Sequence, residues 1–266
     1  MGERRPVPDA PGDASPRPDP TAPEFERDVR RMFSHIAERY EWFDHVASLG
    51  NDLFWRPRAI WDLERFRPGG QTGRVLDVGC GTGELTRQLA RRFPAATVVG
   101  VDFTAAMLRE AARRGRGSPS RPAGYGRGTA LRLPFADATF DLVTNAFLVR
   151  NLVDLPAAFA EMRRVLRPGG ALLALEITEP ISPSFGRLFH AYFDHVVPWL
   201  GAAVDSAGPY RYLPDSLKRL PPRTALVATI RAAGFPRVEP HVQSMGIVTA
   251  FLAEAGRPAA ERGQTP

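Results

Sequence analysis

Cysteine is nearly absent from this chain, since Cys80 is the single one among 266 residues. One cysteine can form neither an internal disulfide bond nor a cysteine-rich metal site, and the five histidines lack the HxxH spacing of a zinc site. We therefore expect no metal cofactor. No apolar run approaches the roughly 18 residues that a membrane-spanning helix needs. The N-terminus lacks the apolar core of a secretory signal, which predicts a cytoplasmic protein.

Lysine is also scarce, because Lys218 is the one lysine among 35 basic residues. The formal net charge of +6 invites a nucleic-acid partner. Arginine in place of lysine, with abundant alanine, glycine and proline, is however typical of a GC-rich genome, and charge alone specifies no fold. We predict no nucleic-acid partner and leave the oligomeric state, a homo-oligomer included, open.

Composition divides the chain into three parts. Residues 1–24 contain seven prolines and few large apolar side chains, which predicts a disordered tail. Residues 25–255 are predicted to form one α/β domain, with an inserted helical cap at about 180–220. Residues 256–266 are polar and are predicted to be a loose C-terminal tail.

Hydrophobic periodicity predicts the elements of that domain. Apolar residues recur at three- and four-residue steps over 25–43, which predicts one long helix before a second over 52–66. Short apolar strands then alternate with helices, which predicts a Rossmann-like, seven-stranded sheet with helices on both faces. The predicted strands are 74–78, 96–101, one unplaced within 115–128, 140–144, 171–177, 237–243 and 247–252. The predicted helices are 84–93, 104–114 with Thr104 as N-cap, 155–166 before a Pro168-Gly169-Gly170 turn, and 224–233.

A glycine-rich loop follows the first predicted strand, in Val75-Leu76-Asp77-Val78-Gly79-Cys80-Gly81-Thr82-Gly83. Glycines there let the backbone approach a ligand closely, and the N-terminus of the next helix favours a carboxylate. A dinucleotide site needs G-x-G-x-x-G, but the last position falls on Glu84 or Thr86. The observed G-x-G-x-G suits a ligand without pyrophosphate, and Asp77 can attract the ammonium group of S-adenosylmethionine. Cys80 is interpreted as a small filler.

Two further strand ends carry polar residues. Asp102 ends the second strand about 20 residues past the loop, where a carboxylate can accept hydrogen bonds from both ribose hydroxyls; helix capping is the alternative. Ligands on open α/β sheets bind outside the carboxyl ends of strands. The end of the fourth strand therefore places Ala146 at the cofactor and Arg150 and Asn151 at a substrate. The alternative for Arg150 is a solvated surface arginine.

Several more segments resemble the ubiquinone/menaquinone biosynthesis C-methyltransferase family over residues 28–255. These segments are Tyr40 to Asp44 with Ser48 to Gly50 and Trp55, Arg150-Asn151, Arg164 to Gly170 with Leu175-Glu176, His195 to Pro198, and Tyr210 to Leu213. The resemblance implies a methyltransferase fold with N-terminal helices and an inserted cap, S-adenosylmethionine as cofactor, and adenine contacts at Thr129 and Ala130. The chain departs from the family pattern at Asp44 for Asn, Asp52 for His, Leu148-Val149 for Gly-Leu, and Thr129 for an acidic or amide residue.

The family methylates a ring carbon of a polyprenylated quinol or phenol. This chemistry needs the ring as a phenolate, and because a free phenol has a pKa of about 10, a cation or base must favour the ionised form. The resemblance gives this role to Arg150. Further candidates are Asn151, His195, Tyr210 and Tyr212, although a lone histidine such as His195 is more often structural.

Three hypotheses follow for the function. The first is quinol C-methylation, the second is methylation of another aromatic or lipid acceptor, and the third is a non-catalytic cofactor-binding subunit. The intact cofactor motifs and Arg150 argue against the third. Residues 113–132 contain six arginines and no acidic residue, which indicates either a solvated loop or peripheral contact with anionic membrane.

Overall fold

A computed structural model describes residues 23–70, 72–116, 122, 124–197 and 216–256. Within these residues the strands form one seven-stranded mixed sheet. The strands are β1 (Arg74–Val78), β2 (Thr97–Asp102), β3 (Gly124–Arg127), β4 (Phe140–Ala146), β5 (Leu166–Ile177), β6 (Arg237–Gln243) and β7 (Val248–Glu254). Their order across the sheet is β3-β2-β1-β4-β5-β7-β6.

The helices surround this sheet. They are α1 (Pro23–Ile36), α2 (Tyr40–Ala47), α3 (Asp52–Phe66), α4 (Glu84–Arg92), α5 (Ala105–Arg114), α6 (Leu155–Val165), α7 (Pro183–Ala191) and α8 (Arg223–Ala232). Short 3₁₀ turns lie at Val149–Asn151 and Ser244–Gly246, and a π-turn at Tyr192–Val196 follows α7. None of the helices described is long and apolar enough to cross a membrane.

Parallel pairing dominates the sheet. Strands β3, β2, β1, β4 and β5 pair in parallel, while β7 runs antiparallel between β5 and β6. The parallel strands are buried on both faces, which explains their near-continuous apolar sequence. Their carboxyl ends meet at one edge of the sheet, and the predicted cofactor residues are brought together there.

Two hydrophobic cores lie on opposite faces of the sheet. One packs α3, α4 and the cap helix α7 against the sheet through residues such as Leu63, Leu89 and Phe189. The other packs α6 and α8 through residues such as Phe159 and Ile230. The predicted Rossmann-like sheet with helices on both faces is therefore confirmed.

The long N-terminal helix predicted over 25–43 is wrong. The chain turns at residues 37–39, where the Arg39 amide donates to the Ile36 carbonyl oxygen at 3.0 Å. The turn directs α2 toward the glycine-rich loop, where Glu41 accepts a hydrogen bond from Thr82. Periodicity alone did not reveal the break because both helices bury apolar faces.

Two local predictions need smaller corrections. Pro168-Gly169-Gly170 lies inside the long strand β5 and shifts its register beside Phe140 and Leu142, whereas a separating turn was predicted. Thr104 precedes α5, but its hydroxyl makes no capping hydrogen bond. Of the tails predicted at 1–24 and 256–266, residues 1–22 and 257–266 lie outside the described residues, as does the cap segment 198–215, whereas residues 23 and 24 begin α1.

Candidate active site

A cleft of roughly 250 Å³ opens at the carboxyl ends of β1, β2 and β4. Helices α2 and α3 form its opposite wall. The predicted cofactor residues that line it are Asp77, Gly79, Gly81, Thr82, Asp102, Thr129, Ala130 and Ala146. The sequence motifs thus come together around one cavity, as the rule for open α/β sheets predicts.

The glycine-rich loop has the backbone that only glycine adopts easily. Its φ angles are positive at Gly79, Gly81 and Gly83. A Cβ atom at Gly83 would lie 2.5 Å from the Tyr125 hydroxyl, so Gly83 is required for packing. A Cβ at Gly81 would meet no atom within 4 Å. Gly81 therefore leaves open space in the cleft wall that a closely bound ligand can fill.

Asp102 is buried and already holds two backbone amides. Its carboxylate accepts hydrogen bonds from the Gly81 amide at 3.0 Å and from the Thr104 amide at 2.7 Å, one on each oxygen. Burial raises the pKa of Asp102, and these amide bonds partly oppose that effect. Each oxygen keeps a second lone pair, so the local capping role does not prevent Asp102 from accepting ribose hydroxyls.

Asp77 is the most deeply buried carboxylate of the cleft. Thr86 donates to one oxygen at 2.6 Å and Thr144 to the other at 2.9 Å. Burial raises the pKa of Asp77 to about 6, although both hydroxyls lower it. A buried carboxylate with no cation among its hydrogen-bond partners suits a ligand that carries its own positive charge.

Thr129 and Ala130 lie in a tight turn at the far end of the cleft. The Thr129 hydroxyl accepts the Leu131 amide at 3.1 Å. It thus stabilises the turn locally. Cys80 is buried, and burial raises the pKa of its thiol well above the ordinary value, which agrees with a filler role.

Glu41 fastens α2 to the glycine-rich loop. It accepts the Thr82 hydroxyl at 2.6 Å and pairs with Arg87 at 3.2 Å, and Arg114 also binds it. Glu41 also lines the cleft. This carboxylate therefore connects the N-terminal helices to the glycine-rich loop, a role that sequence patterns alone did not indicate.

A charged cluster lies on the opposite wall, between α2 and α3. The guanidinium of Arg56 is buried, 3.0 Å from Asp44 and 3.7 Å from Asp52. Asp44 and Asp52 are two of the positions at which the chain departs from the family pattern, and here both bind the same arginine. His45 Nδ1 lies 3.0 Å from the Asp52 carboxylate.

Phe147 separates this cluster from the end of β4. Its backbone has φ of +58°, which is strained for a phenylalanine. The guanidinium carbons of Arg56 and Arg150 lie 5.0 and 5.7 Å from its ring centroid. Trp55 contacts it edge-on. Two cations therefore border one aromatic ring in the cleft wall.

Arg150 is buried behind this ring. Its Nη1 lies 2.5 Å from Glu176, and its backbone amide also donates to that carboxylate at 3.1 Å. Arg150 is therefore no solvated surface arginine, yet it is not among the residues that line the cleft. Asn151 does line the cleft, and its amide group donates to the Phe147 carbonyl oxygen at 3.3 Å.

The same fold occurs in known methyltransferases. A Thermotoga maritima structure described as a S-adenosylmethionine-dependent methyltransferase and possible histamine N-methyltransferase superposes with a TM-score of 0.59 at 19% identity, covering 84% of this chain and 98% of that one. The model of the ubiE/COQ5 methyltransferase family matches residues 22–254. The chain belongs to the ubiE/COQ5 methyltransferase family.

Two relatives named for quinone methylation are similar in sequence to this chain over most of its length. The demethylmenaquinone methyltransferase of Deinococcus radiodurans is 44% identical over 208 residues, which cover 78% of this chain and 84% of that protein. The ubiquinone/menaquinone biosynthesis C-methyltransferase UbiE of Geobacter sulfurreducens is 38% identical over 234 residues, covering 86% and 88%. As a member of the ubiE/COQ5 family, the chain is a methyltransferase that uses S-adenosylmethionine.

S-adenosylmethionine fits the residues that line the cleft. The open space at Gly81 admits a ligand against the backbone, and Asp102 has lone pairs left for ribose hydroxyls. The buried carboxylate of Asp77 complements an ammonium group.

Of the further catalytic candidates in this ubiE/COQ5 chain, His195 is described by the structure and does not line the cleft. His195 is exposed on the π-turn, because the opposite side of that turn buries Phe193 in the core. A catalytic role for His195 gains no support from this placement and stays a prediction. Tyr210 and Tyr212 lie outside the described residues.

Proposed function

We propose that this chain transfers the methyl group of S-adenosylmethionine to a ring carbon of a polyprenylated quinol or phenol in menaquinone or ubiquinone biosynthesis. The names of the relatives at 38–44% identity support this class of acceptor. The observation that carries the proposal is the composition of the cleft wall that α2 and α3 form, here called the acceptor wall. Buried ionisable groups meet an apolar rim there, as an ionisable ring with a lipid tail requires.

The apolar rim lies at the start of α3 and in the turn before it. Leu49, Leu53 and Phe54 are 73%, 54% and 72% exposed. Leu53 also lines the cleft, one turn of helix from Arg56. Exposed large apolar side chains beside a binding cleft indicate an apolar ligand or surface, and the prenyl tail of a quinol matches that chemistry.

The two sides of the cleft position the two reactants. The side at the strand ends holds S-adenosylmethionine, and the acceptor wall holds the quinol or phenol. S-adenosylmethionine supplies an electrophilic methyl group. Asp77, the glycine-rich loop and Asp102 hold the amino-acid and ribose parts of S-adenosylmethionine, while the ring of the acceptor packs against Phe147 and Leu148. Most of the rate gain then comes from holding the two reactants in line.

Arg150 contributes indirectly in this proposal. Glu176 balances its charge, and both of its contacts to Glu176 fix the 3₁₀ turn that carries Asn151 into the cleft wall. We therefore propose Arg150 as a positioning residue.

The test is a product analysis with the full-length protein and S-adenosylmethionine carrying a deuterated methyl group. We expect mass spectrometry and NMR to show the label on a ring carbon of a prenylated naphthoquinol or benzoquinol that lacks its ring methyl. An Asp102→Ala variant, in which cofactor binding should be weakened, is the control. Label on a hydroxyl oxygen, or on neither quinol, contradicts the proposal.

We also infer peripheral attachment to the cytoplasmic face of the membrane, where such a substrate resides. Arg116, Arg127 and Arg132 of the arginine-rich stretch are exposed, which supports contact with anionic lipid. Arg113 and Arg114 contribute less free charge, because both pair with Glu110.

A further inference from the structure

His45 and Asp52 form a hydrogen-bonded pair in the acceptor wall of the cleft. The carboxylate can only accept when ionised, so the 3.0 Å contact assigns the donor hydrogen to Nδ1 of His45. Nε2 is then left as a proton acceptor. All five histidines are within the described residues, and His45 is the one that lines the cleft.

Asp52 is held so that it can orient this ring. Its carboxylate is buried, accepts the Ser48 hydroxyl at 2.8 Å and lies 3.7 Å from the guanidinium of Arg56. His45 has 45% of its side chain exposed, against 9% for Asp52. One partner is therefore fixed in the protein while the other reaches the cavity, which is the arrangement of an oriented base.

We propose that His45, oriented by Asp52, is the general base that ionises the ring hydroxyl of the acceptor. This inference rests on the proposed function. A phenol needs such help near neutral pH, because its own pKa is about 10. Asp52 stabilises the imidazolium that forms, as a buried carboxylate does in other histidine-dependent sites.

The proton balance of the reaction is complete with this base. Nε2 takes the hydroxyl proton, and the resulting phenolate is nucleophilic at its ortho ring carbon. The new ring carbon–methyl bond forms as the sulfur–methyl bond breaks, which leaves S-adenosylhomocysteine. Water then takes the proton of that ring carbon, the electron pair of the carbon–hydrogen bond restores the aromatic ring, and His45 returns its proton to the oxygen. One proton is released in each turnover.

Other charged groups around His45 bear on its pH response. Glu41 and Asp44 lie on the same helix, and Asp52 and Arg56 lie on α3. From the cap, Tyr192 donates its hydroxyl to the Ala47 carbonyl oxygen at the end of α2. Arg87 and Arg114 pair with Glu41, and Arg56 with Asp44 and Asp52, so each carboxylate near His45 has a cation as partner.

The first test measures ionisation directly and does not depend on turnover. A 1-naphthol with a short prenyl chain is bound to the protein loaded with S-adenosylhomocysteine at pH 7.5, and the naphtholate is read from its red-shifted absorption. We expect the bound naphthol to be ionised with wild type and neutral with His45→Gln. Added imidazole should restore ionisation in His45→Gly. Equal ionisation in wild type and His45→Gln overturns the proposal.

The second test is the pH dependence of kcat/KM on the quinol. Wild type should lose activity toward acidic pH, since a protonated imidazole accepts no proton. His45→Gln should be about 10²–10⁴-fold slower, without that acidic limb and with partial recovery at high pH. Asp52→Asn should have a kcat/KM between those of wild type and His45→Gln, and Arg56 keeps Asp44 as a partner in that variant.

The chain offers a matched control pair on its surface. His190 Nε2 lies 3.1 Å from Glu179, and neither residue lines the cleft. His190→Gln should keep wild-type ionisation and turnover. If wild type methylates no quinol, the proposed function fails; if wild type does and His45→Gln matches it, the role of His45 fails.

Discussion

Arg150 and Glu176 form a buried ion pair in which Nη1 lies 2.5 Å from the carboxylate and the side chains are 6% and 0% exposed. Burial lowers the pKa of Arg150, but the charge and hydrogen bond of Glu176, together with Tyr40 and Asp44, more than compensate, so the net pKa is raised. Both partners therefore keep their charges inside the protein. Their first importance is to stability, and any effect on the acceptor must act through the neutral pair.

Removing one member of this pair should destabilise the protein strongly. Arg150→Met leaves Glu176 charged and without a cation, at an expected loss of about 3–5 kcal/mol in the free energy of unfolding. Arg150→Met with Glu176→Gln should lose less than the two single variants added together. Urea unfolding measures both. Additive losses contradict the coupling.

The folded double variant then isolates the catalytic effect of Arg150. Because Glu176 already neutralises Arg150 and the guanidinium lies behind Phe147, we expect turnover to fall by about tenfold. The loss of a direct electrostatic partner would instead lower turnover by about 10²–10³-fold. A loss of that size would restore the direct role that the sequence suggested.

Asp77 should make the ligand-free protein less stable above pH 6. A carboxyl group whose folded pKa is raised stabilises the fold while it is protonated, and that stability disappears as pH rises through the folded value, here about 6. Asp77→Asn stays neutral at every pH. We expect it to be more stable than wild type by about 1–3 kcal/mol at pH 7.5 and equal to it near pH 4. If wild type and Asp77→Asn are equally stable at both pH values, burial of the charged Asp77 carboxylate does not destabilise the protein.

The same carboxylate should make cofactor binding depend on pH. A bound ammonium group needs Asp77 ionised, so calorimetry should show weaker S-adenosylmethionine binding as pH falls from 7 to 5. Asp77→Asn should bind weakly throughout this range. A dissociation constant of wild type that does not change with pH would mean that Asp77 does not meet the ammonium group.

Sequence patterns predicted the helices and strands wherever apolar periodicity was clear and turn residues marked the ends. Helix α3 and strands β1 and β6 begin and end at the predicted residues. Strand β3 was left unplaced because Gly124–Arg127 alternates glycine with polar and aromatic residues and has no apolar period. The break between α1 and α2 was missed because contact with the glycine-rich loop, a tertiary effect, determines it.

The positions of Asp77 and Asp102 at the cleft could be predicted from the sequence, but those of Arg56 and His45 could not. Asp77 and Asp102 belong to contiguous motifs at strand ends, whose position the fold rule gives. His45 lies on α2 and Arg56 on α3, and they are brought to the same cleft wall only because the two helices pack together. The departures at Asp44 and Asp52 were the available signal, and a shared partner would have been a reasonable inference from them.

Membrane attachment should depend on the apolar rim and on salt. Phe54→Ser removes an exposed ring beside the cleft, and Val242→Ser is the control, since Val242 is 41% exposed on β6. Flotation with anionic vesicles should show weaker binding for Phe54→Ser alone, and high salt should weaken binding of every variant. Equal flotation with neutral vesicles would argue against a role of the arginines.

Gly81 provides the most direct test of where the cofactor lies. Gly81 and Gly69 both have positive φ, +53° and +68°, and a Cβ at either would meet no atom within 4 Å. Gly81→Ala and Gly69→Ala should therefore carry a similar backbone strain of about 1 kcal/mol in thermal unfolding. They differ in place, because Gly81 lines the cleft and Gly69 lies in the turn after α3.

Only Gly81→Ala should affect ligand binding. Its methyl group would fill the space against which the cofactor packs, and a well-packed site tolerates such overlap poorly. We expect the dissociation constant for S-adenosylhomocysteine to rise by about two orders of magnitude, roughly 3 kcal/mol, and to stay within about twofold for Gly69→Ala. Equal affinities for the two variants would place the cofactor away from this loop, since strain is the property they share.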